Sequence, residues 1–325
     1  MRDSLKRKLK RIIIKLPFGS QLLELRSRII FRRSLRSMIR VKKCFIKRMV
    51  KDLWRENYNR NILSLDKFKS HSQIPLEEAV AFEIGAGQLL MASIGLSLFG
   101  FKKIIAMDIS KTESGFVDLV IKQYRKHAKK LGIKSVPKIE EKINDENLDR
   151  ILLQKFNIDH RAPYDAAHTD LPDNSVDYVY SICVFEHIRA DVLPNIVKES
   201  YRILNAGGLQ YALVDYQDHR TYNYPDTYNP DVTTIYDYLQ YNQAEWVQED
   251  SKYGLHQNRL RTSDYEAMFT AAGFEIVEVE KFGFDDADRA AFATVKVAAE
   301  FKNKYSDEEL MERGAHFILR KPLNG

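Results

Sequence analysis

Phe82-Glu83-Ile84-Gly85-Ala86-Gly87 is the stretch that decides the fold. The apolar run Ala79 to Phe82 leads into an acid and two glycines one residue apart, and a helix-like segment, Gln88 to Phe99, follows at once. Twenty-one residues after Gly87 a second apolar run ends in an acid, Lys103-Ile104-Ile105-Ala106-Met107-Asp108. This order predicts a strand, a glycine turn, a helix, and a strand tipped by a carboxylate. Glycine in such a turn permits positive φ and a close approach of ligand to backbone. A carboxylate at the end of the next strand can accept from both hydroxyls of a ribose. The two segments together describe a nucleoside site.

Outward from that pair, strand and helix patterns alternate from about residue 79, which predicts a mostly parallel sheet covered on both faces. The strands are expected at Val80–Ile84, Lys103–Met107, Ile158–Arg161, Val176–Ile182, Leu209–Val214, Phe274–Glu280 and Ala315–Arg320. A long polar stretch over 113–155 reads as helical. Another helix runs from Asp191 to about Leu204 and stops at Gly207-Gly208, a usual helix end. Residues 215–262 break the alternation and read as an insertion over the carboxyl ends of the strands, where open α/β sheets bind ligands. Ser263 to Glu266 has the spacing of a capping box, opening a helix that stops at Gly273, and a further helix is expected over 287–302.

At 325 residues the chain is long enough for one large α/β domain and an extension. No apolar run approaches the ~20 residues that cross a bilayer, and Ile12-Ile13-Ile14 is too short for a signal peptide. Two distant cysteines, Cys44 and Cys183, predict reduced thiols, a cytoplasmic setting and no cysteine-based metal site. The net charge of +6 conceals an asymmetry: residues 1–60 hold 20 Lys/Arg against 4 Asp/Glu, while the remainder is net −10. Within that basic arm, Leu5, Leu9, Ile12, Ile13 and Leu16 recur at helical spacing, and Leu22, Leu23, Leu25, Ile29 and Ile30 make a second stripe. Residues 1–70 therefore read as a basic amphipathic helical extension and 71–325 as the α/β domain. Such an arm suits the anionic inner membrane surface, where each Lys or Arg contributes about 1 kcal/mol. Nucleic acid would attract the same charge, and packing on its own domain or a second subunit is the plainer alternative. The sequence leaves the oligomeric state open.

From about 79 to 320 the chain resembles class I S-adenosylmethionine-dependent methyltransferases, with their Rossmann-like seven-stranded sheet. Glu83-Ile84-Gly85-Ala86-Gly87 is similar to the family's first motif, and Asp108 matches its ribose-holding acid. Asp165-Ala166, ahead of Leu171-Pro172-Asp173, is similar to the stretch beside adenine. Ser181 to Ile188 resembles the segment after strand four that often reads Leu-Glu-His. Asn205-Ala206-Gly207-Gly208 resembles the Pro-Gly-Gly turn, with Asn-Ala where Lys-Pro is usual. The resemblance implies S-adenosyl-L-methionine as cofactor, held by Glu83, Gly85, Ala86, Gly87, Asp108, Ile109, Asp165, Ala166, Ser181 and Cys183. Asp170 is close enough to exchange roles with Asp165. A third glycine of a dinucleotide fingerprint would fall at Leu89, which argues against NAD.

Transfer of the methyl group depends chiefly on holding donor and acceptor in line, and a hydroxyl acceptor also needs a base. His187, just past strand four, is the first candidate base. His219 with Asp218 or Asp215, just past strand five, is the alternative, since a carboxylate can fix a neighbouring histidine's tautomer. Glu186, Tyr216, Asn258, Arg259 and Arg261 are candidate acceptor-binding residues. The two arginines could meet a phosphate or carboxylate or pair with the insertion. Seven of the chain's seventeen tyrosines lie between Tyr216 and Tyr241, which suits either stacking on sugar rings or a packed lid. The run Asp215-x-x-Asp218-His219 to Asn258-Arg-Leu-Arg resembles a bacterial subgroup associated with surface-polysaccharide genes, implying a glycan or lipid-linked sugar as acceptor. Methylation of RNA, at ribose, is the alternative. Base-amine chemistry is disfavoured because Ser181 to Glu186 lacks the Asn/Asp-Pro-Pro-aromatic signature. A non-catalytic binding protein that keeps the fold is the reading from another class. No metal-ligand cluster stands out by its spacing.

Overall fold

The computed structural model describes residues 54–221, 232–252 and 256–323. Both apolar stripes of the basic arm lie outside the described residues, as do Tyr222, Tyr224 and Tyr228. The described residues all belong to one compact unit, Val50–Gly325.

Seven strands form one sheet: β1 Val80–Ile84, β2 Lys103–Met107, β3 Ile158–Arg161, β4 Val176–Ile182, β5 Leu204–Asp215, β6 Glu275–Phe282 and β7 Gly314–Arg320, in the order β3-β2-β1-β4-β5-β7-β6. β1 to β5 pair in parallel, and β7 runs antiparallel to both β5 and β6. The chain order reverses direction between β1 and β4, so the carboxyl ends of these two central strands define the crevice where such sheets bind ligands. The expected seven-stranded Rossmann-like sheet is present.

Alternation along each strand assigns the faces. Phe82, Ile84, Val179, Ala212, Val214, Phe317 and Leu319 point to one side and are covered by Leu193, Ile196 and Val197 of α5 (Leu193–Ile203) and by Tyr265 and Phe269 of α7 (Thr262–Ala271). On the other face Tyr178 and Tyr180 stack at 5.5 Å between ring centroids, and Phe68 of α1 (Trp54–His71) closes on Tyr178 at 4.8 Å. Ser64 of α1 also hydrogen-bonds the Tyr178 hydroxyl at 2.6 Å. This helix lies on the extension side of the boundary expected at residue 70. Its buried Leu65 and Phe68 instead make it part of the α/β domain.

The remaining helices are α2 Met91–Phe99, α3 Ser114–His127, α4 Leu148–Phe156, α6 Gln243–Asp250, α8 Asp286–Ala293, α9 Ala299–Lys302 and α10 Asp307–Met311. The helical stretch expected over 113–155 is thus two helices with an irregular segment between them, which contains Gly132 at φ +69°. The helix expected over 287–302 is likewise divided into α8 and α9. The cap of α7 is displaced from the expected Ser263–Glu266 pair. Asp264 accepts from the Arg261 N–H at 2.9 Å, while the Ser263 N–H is taken by Glu309 of α10.

The insertion after β5 builds a second apolar cluster of its own. Tyr236, Tyr238, Leu239 and Trp246 pack against Phe292, Phe301, Tyr305 and Leu310. The tyrosines at 236 and 238 are core residues of this substructure, so these two are not a sugar-stacking platform.

Candidate functional site

The turn between β1 and α2 is fastened to the end of β2. Gly85 and Ala86 donate their N–H groups to the Met107 carbonyl at 3.0 and 2.8 Å. Gly85 and Gly87 take φ of +77° and +65°, the region glycine occupies without strain. Gly87 N–H donates to Asp108 Oδ2 at 2.9 Å and Ser110 N–H to Asp108 Oδ1 at 2.7 Å, fixing the carboxylate at the tip of β2. A Cβ on Gly85 would lie 2.5 Å from a Val184 methyl carbon, whereas one on Gly87 would meet nothing within 4 Å. The second glycine therefore leaves open space above the turn, beside the 80 % exposed Ile109.

Past β3, Asp165 Oδ1 accepts the Ala167 N–H at 2.9 Å, which holds this exposed carboxyl below its ordinary range. Ala166 beneath it is buried in the core. Asp170, the residue that could have exchanged roles with Asp165, is engaged by Arg161 at 2.5 Å and by the Tyr164 hydroxyl. An open glycine turn, a fixed carboxylate on β2 and a second carboxylate past β3 fit the methionine, ribose and adenine parts of S-adenosylmethionine. That cofactor supplies a methyl group activated on a sulfonium.

Three expected cofactor residues stand differently. Glu83 turns inward, where Ser93 and Tyr180 donate to Oε2, the latter at 3.0 Å. Burial pushes its carboxyl up to about 7, so Glu83 supports the turn from beneath and does not line it. Ser181 is fully buried within β4. Cys183 takes φ +55° and its sulfur accepts from Arg60 of α1 at 3.3 Å, while burial pushes its thiol well up.

The candidate bases lie beyond the adjacent strands β4 and β5. Phe185–His187 form a 3₁₀ turn just after β4, Asp215 ends β5, and His219 opens another 3₁₀ turn. His187 and His219, expected as alternatives, are one cluster with ring centroids 4.8 Å apart. His187 Nδ1 lies 2.9 Å from the His256 carbonyl, so Nδ1 carries the proton and Nε2 keeps its lone pair. Burial, and then the neighbouring His219, lowers His187 to about 4, which leaves it neutral at physiological pH. His219 Nε2 faces Asp215 Oδ2 at 3.8 Å. Glu186 is 1 % exposed. Its Oε1 accepts from the Asp215 N–H at 3.4 Å and its Oε2 has no hydrogen-bond partner among the described residues. Burial and then the Asp215 charge push its carboxyl well up.

The other expected site residues support this cluster from within. Asp218 is not the acid beside His219: it is fully buried, and Arg220 holds both of its oxygens, at 2.6 to 3.2 Å. Tyr216 stacks on Tyr265 and its hydroxyl accepts from Thr262 at 3.2 Å, inside the core. Arg261 is fully buried, donating to the Tyr238 hydroxyl at 2.7 Å. Arg259 donates to the carbonyls of Tyr238 and Tyr241 and pairs with Glu300 at 3.2 Å. Both guanidiniums thus tie the insertion down, the second of the two readings of that pair. Asn258 donates to the carbonyls of Phe185 and Ile188 at 2.7 and 2.8 Å, setting the turn that carries Glu186 and His187.

A cleft of about 960 Å³ adjoins this turn, lined in part by Arg189, Asp191, Trp246, His256, Asn258 and Lys304. Two of these, His256 and Asn258, are bonded to the 185–188 segment. Sequence reasoning missed both the cleft and the convergence of the histidines. The usable signal was that residues just past two neighbouring parallel strands must be neighbours themselves.

The sheet order, the glycine turn and the carboxylate on β2 define a nucleoside-binding α/β domain of the methyltransferase class. Residues 82–212 match a family described as a methyltransferase domain. Those residues therefore carry an S-adenosylmethionine-dependent methyltransferase domain, set in the seven-stranded sheet described above. Among solved structures it is similar to a putative methyltransferase from Bacillus halodurans, at 17% identity and TM-score 0.42 over 79% of this chain and 98% of that one. It is also similar to a methyltransferase from Methanosarcina mazei, at 14% identity and TM-score 0.45 over 79% and 97%. A third is a geranyl diphosphate methyltransferase solved with S-adenosylmethionine, at 12% identity and TM-score 0.46 over 85% and 90%. No curated protein matches the chain. Among the described residues no helix is long and apolar enough to cross a membrane.

Proposed function

We propose that this enzyme methylates a hydroxyl of a glycan or lipid-linked sugar, working at an anionic membrane surface to which residues 1–60 hold it. The observation that carries the oxygen acceptor is the cluster of His187, His219, Glu186 and Asp215 at the carboxyl ends of β4 and β5. An amine needs no base once deprotonated in solution, whereas an alcohol must lose a proton as the new bond forms. His187, held neutral by burial, with His219 and the Asp215 carboxylate beside it, is suited to receive it. The cleft beside this cluster offers aromatic, cationic and acidic side chains together, the mixture that lies against sugar rings and their hydroxyls. The excess of 20 basic over 4 acidic residues in the first 60 supports the membrane surface.

The experiment is transfer of labelled methyl from S-adenosylmethionine to a panel of free sugars, lipid-linked sugars, RNA and small amines. Label in an alkali-stable ether of a sugar supports the reading. Label confined to amines, or to RNA, overturns it.

A further inference from the structure

We propose that Glu186, His187 and His219 bind one divalent transition-metal ion of the manganese-to-zinc series. Each offers a ligand atom, and the three atoms lie within 4.8 Å of one another. Ligands at ~2.1 Å from a single ion are ~3 to 4 Å apart, so side-chain shifts of about half an ångström close the set. Two imidazoles and a carboxylate suit first-row ions and not magnesium or calcium, which prefer oxygen alone.

Two independent features point to a cation. Glu186, one of the three, is 1 % exposed, no described arginine or lysine hydrogen-bonds it, and its Oε2 has no hydrogen-bond partner among the described residues. Without a cation such a buried carboxyl keeps its proton, and an ion that binds there displaces it. Asp215 adds to the negative charge there, and the Arg60 guanidinium offsets part of it without a hydrogen bond to Glu186. Secondly, His187 donates Nδ1–H to the His256 carbonyl at 2.9 Å. Metal-binding histidines carry this bond on the ring nitrogen away from the ion, since it fixes the tautomer and orients the lone pair. Sequence spacing concealed the site because His219 lies 32 residues beyond His187.

The catalytic consequence rests on the hydroxyl-methylation reading above; the binding itself does not. An ion here lowers the pKa of an acceptor hydroxyl that coordinates it. The O–H bond breaks toward Asp215, whose carboxylate takes the proton and whose Oδ2 already faces His219. The ion thereby does part of the work of a base and leaves the imidazoles as ligands.

The test uses the untagged full chain, stripped with chelator and titrated with Co²⁺, following its visible absorption, with bound metal counted by elemental analysis. One ion per chain is expected. Glu186→Gln and His219→Ala are each expected to weaken it more than about 100-fold, beyond the about 10–100-fold that outer partners of a ligand cost. Calorimetric S-adenosylmethionine binding by both variants shows that they are folded. No Co²⁺ binding by the native chain, or affinity unchanged in folded Glu186→Gln, overturns the site. Should His219→Ala fail to fold, Glu186→Gln alone decides. Metal bound at this site without sugar methylation overturns the acceptor reading alone, and chelator-insensitive sugar methylation by a metal-free chain overturns the catalytic consequence alone.

Discussion

Gly85→Ala is expected to unsettle both the cofactor turn and the cluster after β4, because the two touch at this residue. Gly85 sits at φ +77°, and a non-glycine residue there costs about 1–2 kcal/mol. The added Cβ would also lie 2.5 and 2.6 Å from the two γ-methyl carbons of Val184, an overlap that a packed interior relieves at a cost of about 1–3 kcal/mol. The sum, roughly 2–5 kcal/mol, corresponds to a fall in Tm of roughly 4–20 °C at ~2–4 °C per kcal/mol for a domain of this size. Scanning calorimetry reads it directly. Val184→Ala in the same chain removes both methyl groups, so the double variant should recover the overlap part while retaining the backbone strain. Gly87→Ala is the control. Its φ is similar but its Cβ points into open space, so it should lose about 1–2 kcal/mol of stability and most of its cofactor affinity. An unchanged Tm in Gly85→Ala, or a double variant no more stable than the single one, would refute this account of the turn.

Asp215 and Asp218 should separate cleanly. Asp218→Asn leaves buried Arg220 with only the longer Glu249 pair, at 3.3 Å, as counter-charge and should cost up to about 3–5 kcal/mol of stability; Asp215→Asn should spare stability by comparison and lower the rate of methyl transfer, as thermal unfolding and initial rates will tell. Glu83 predicts a pH effect. Its folded pKa, raised to about 7 from 4.5, makes its stabilising contribution complete below pH 4.5 and lost as pH rises through 7, a change of about 3 kcal/mol at 1.36 kcal/mol per pH unit. Tm of Glu83→Gln should therefore vary less between pH 5 and 8 than that of the native chain, and equal slopes would contradict the inward, protonated carboxyl. Deleting residues 1–49, which precede the compact unit beginning at Val50, should leave cofactor affinity within about twofold and abolish sedimentation with anionic vesicles at low salt, where screening is weak. Retention of the full chain on RNA but not on vesicles would move the acceptor to nucleic acid.

The sheet was legible because its strands are short apolar runs between turn residues, and parallel connections leave few orders for them. The cofactor side was legible for the same reason: Gly85, Gly87 and Asp108 sit at positions fixed by strand ends. What escaped was everything decided by side-chain direction across distant segments. Glu83 follows the face that alternation gives it, toward Ser93 and Tyr180, and so turns away from the turn it precedes. Arg261 and Tyr216 look like exposed polar or aromatic contacts in a polar stretch, yet each is buried against the other, with the guanidinium 5.5 Å from the ring. The partner of His219 was ambiguous because Asp218 is nearer in sequence. It is Arg220, two residues on, that takes Asp218 and leaves Asp215 facing the imidazole. The helix Trp54–His71 was joined to the basic arm by its charge, while its Leu65 and Phe68 belong to the sheet.

The most direct test of the central claim is calorimetric titration of S-adenosylmethionine into the native chain and into Asp108→Ala. The account predicts saturable one-to-one binding by the native chain and a loss of at least about 100-fold in the variant, as expected when two hydrogen bonds to a charged carboxylate, about 1.5–3 kcal/mol each, are removed. Absence of binding to folded native protein, or equal affinity in the variant, would contradict it.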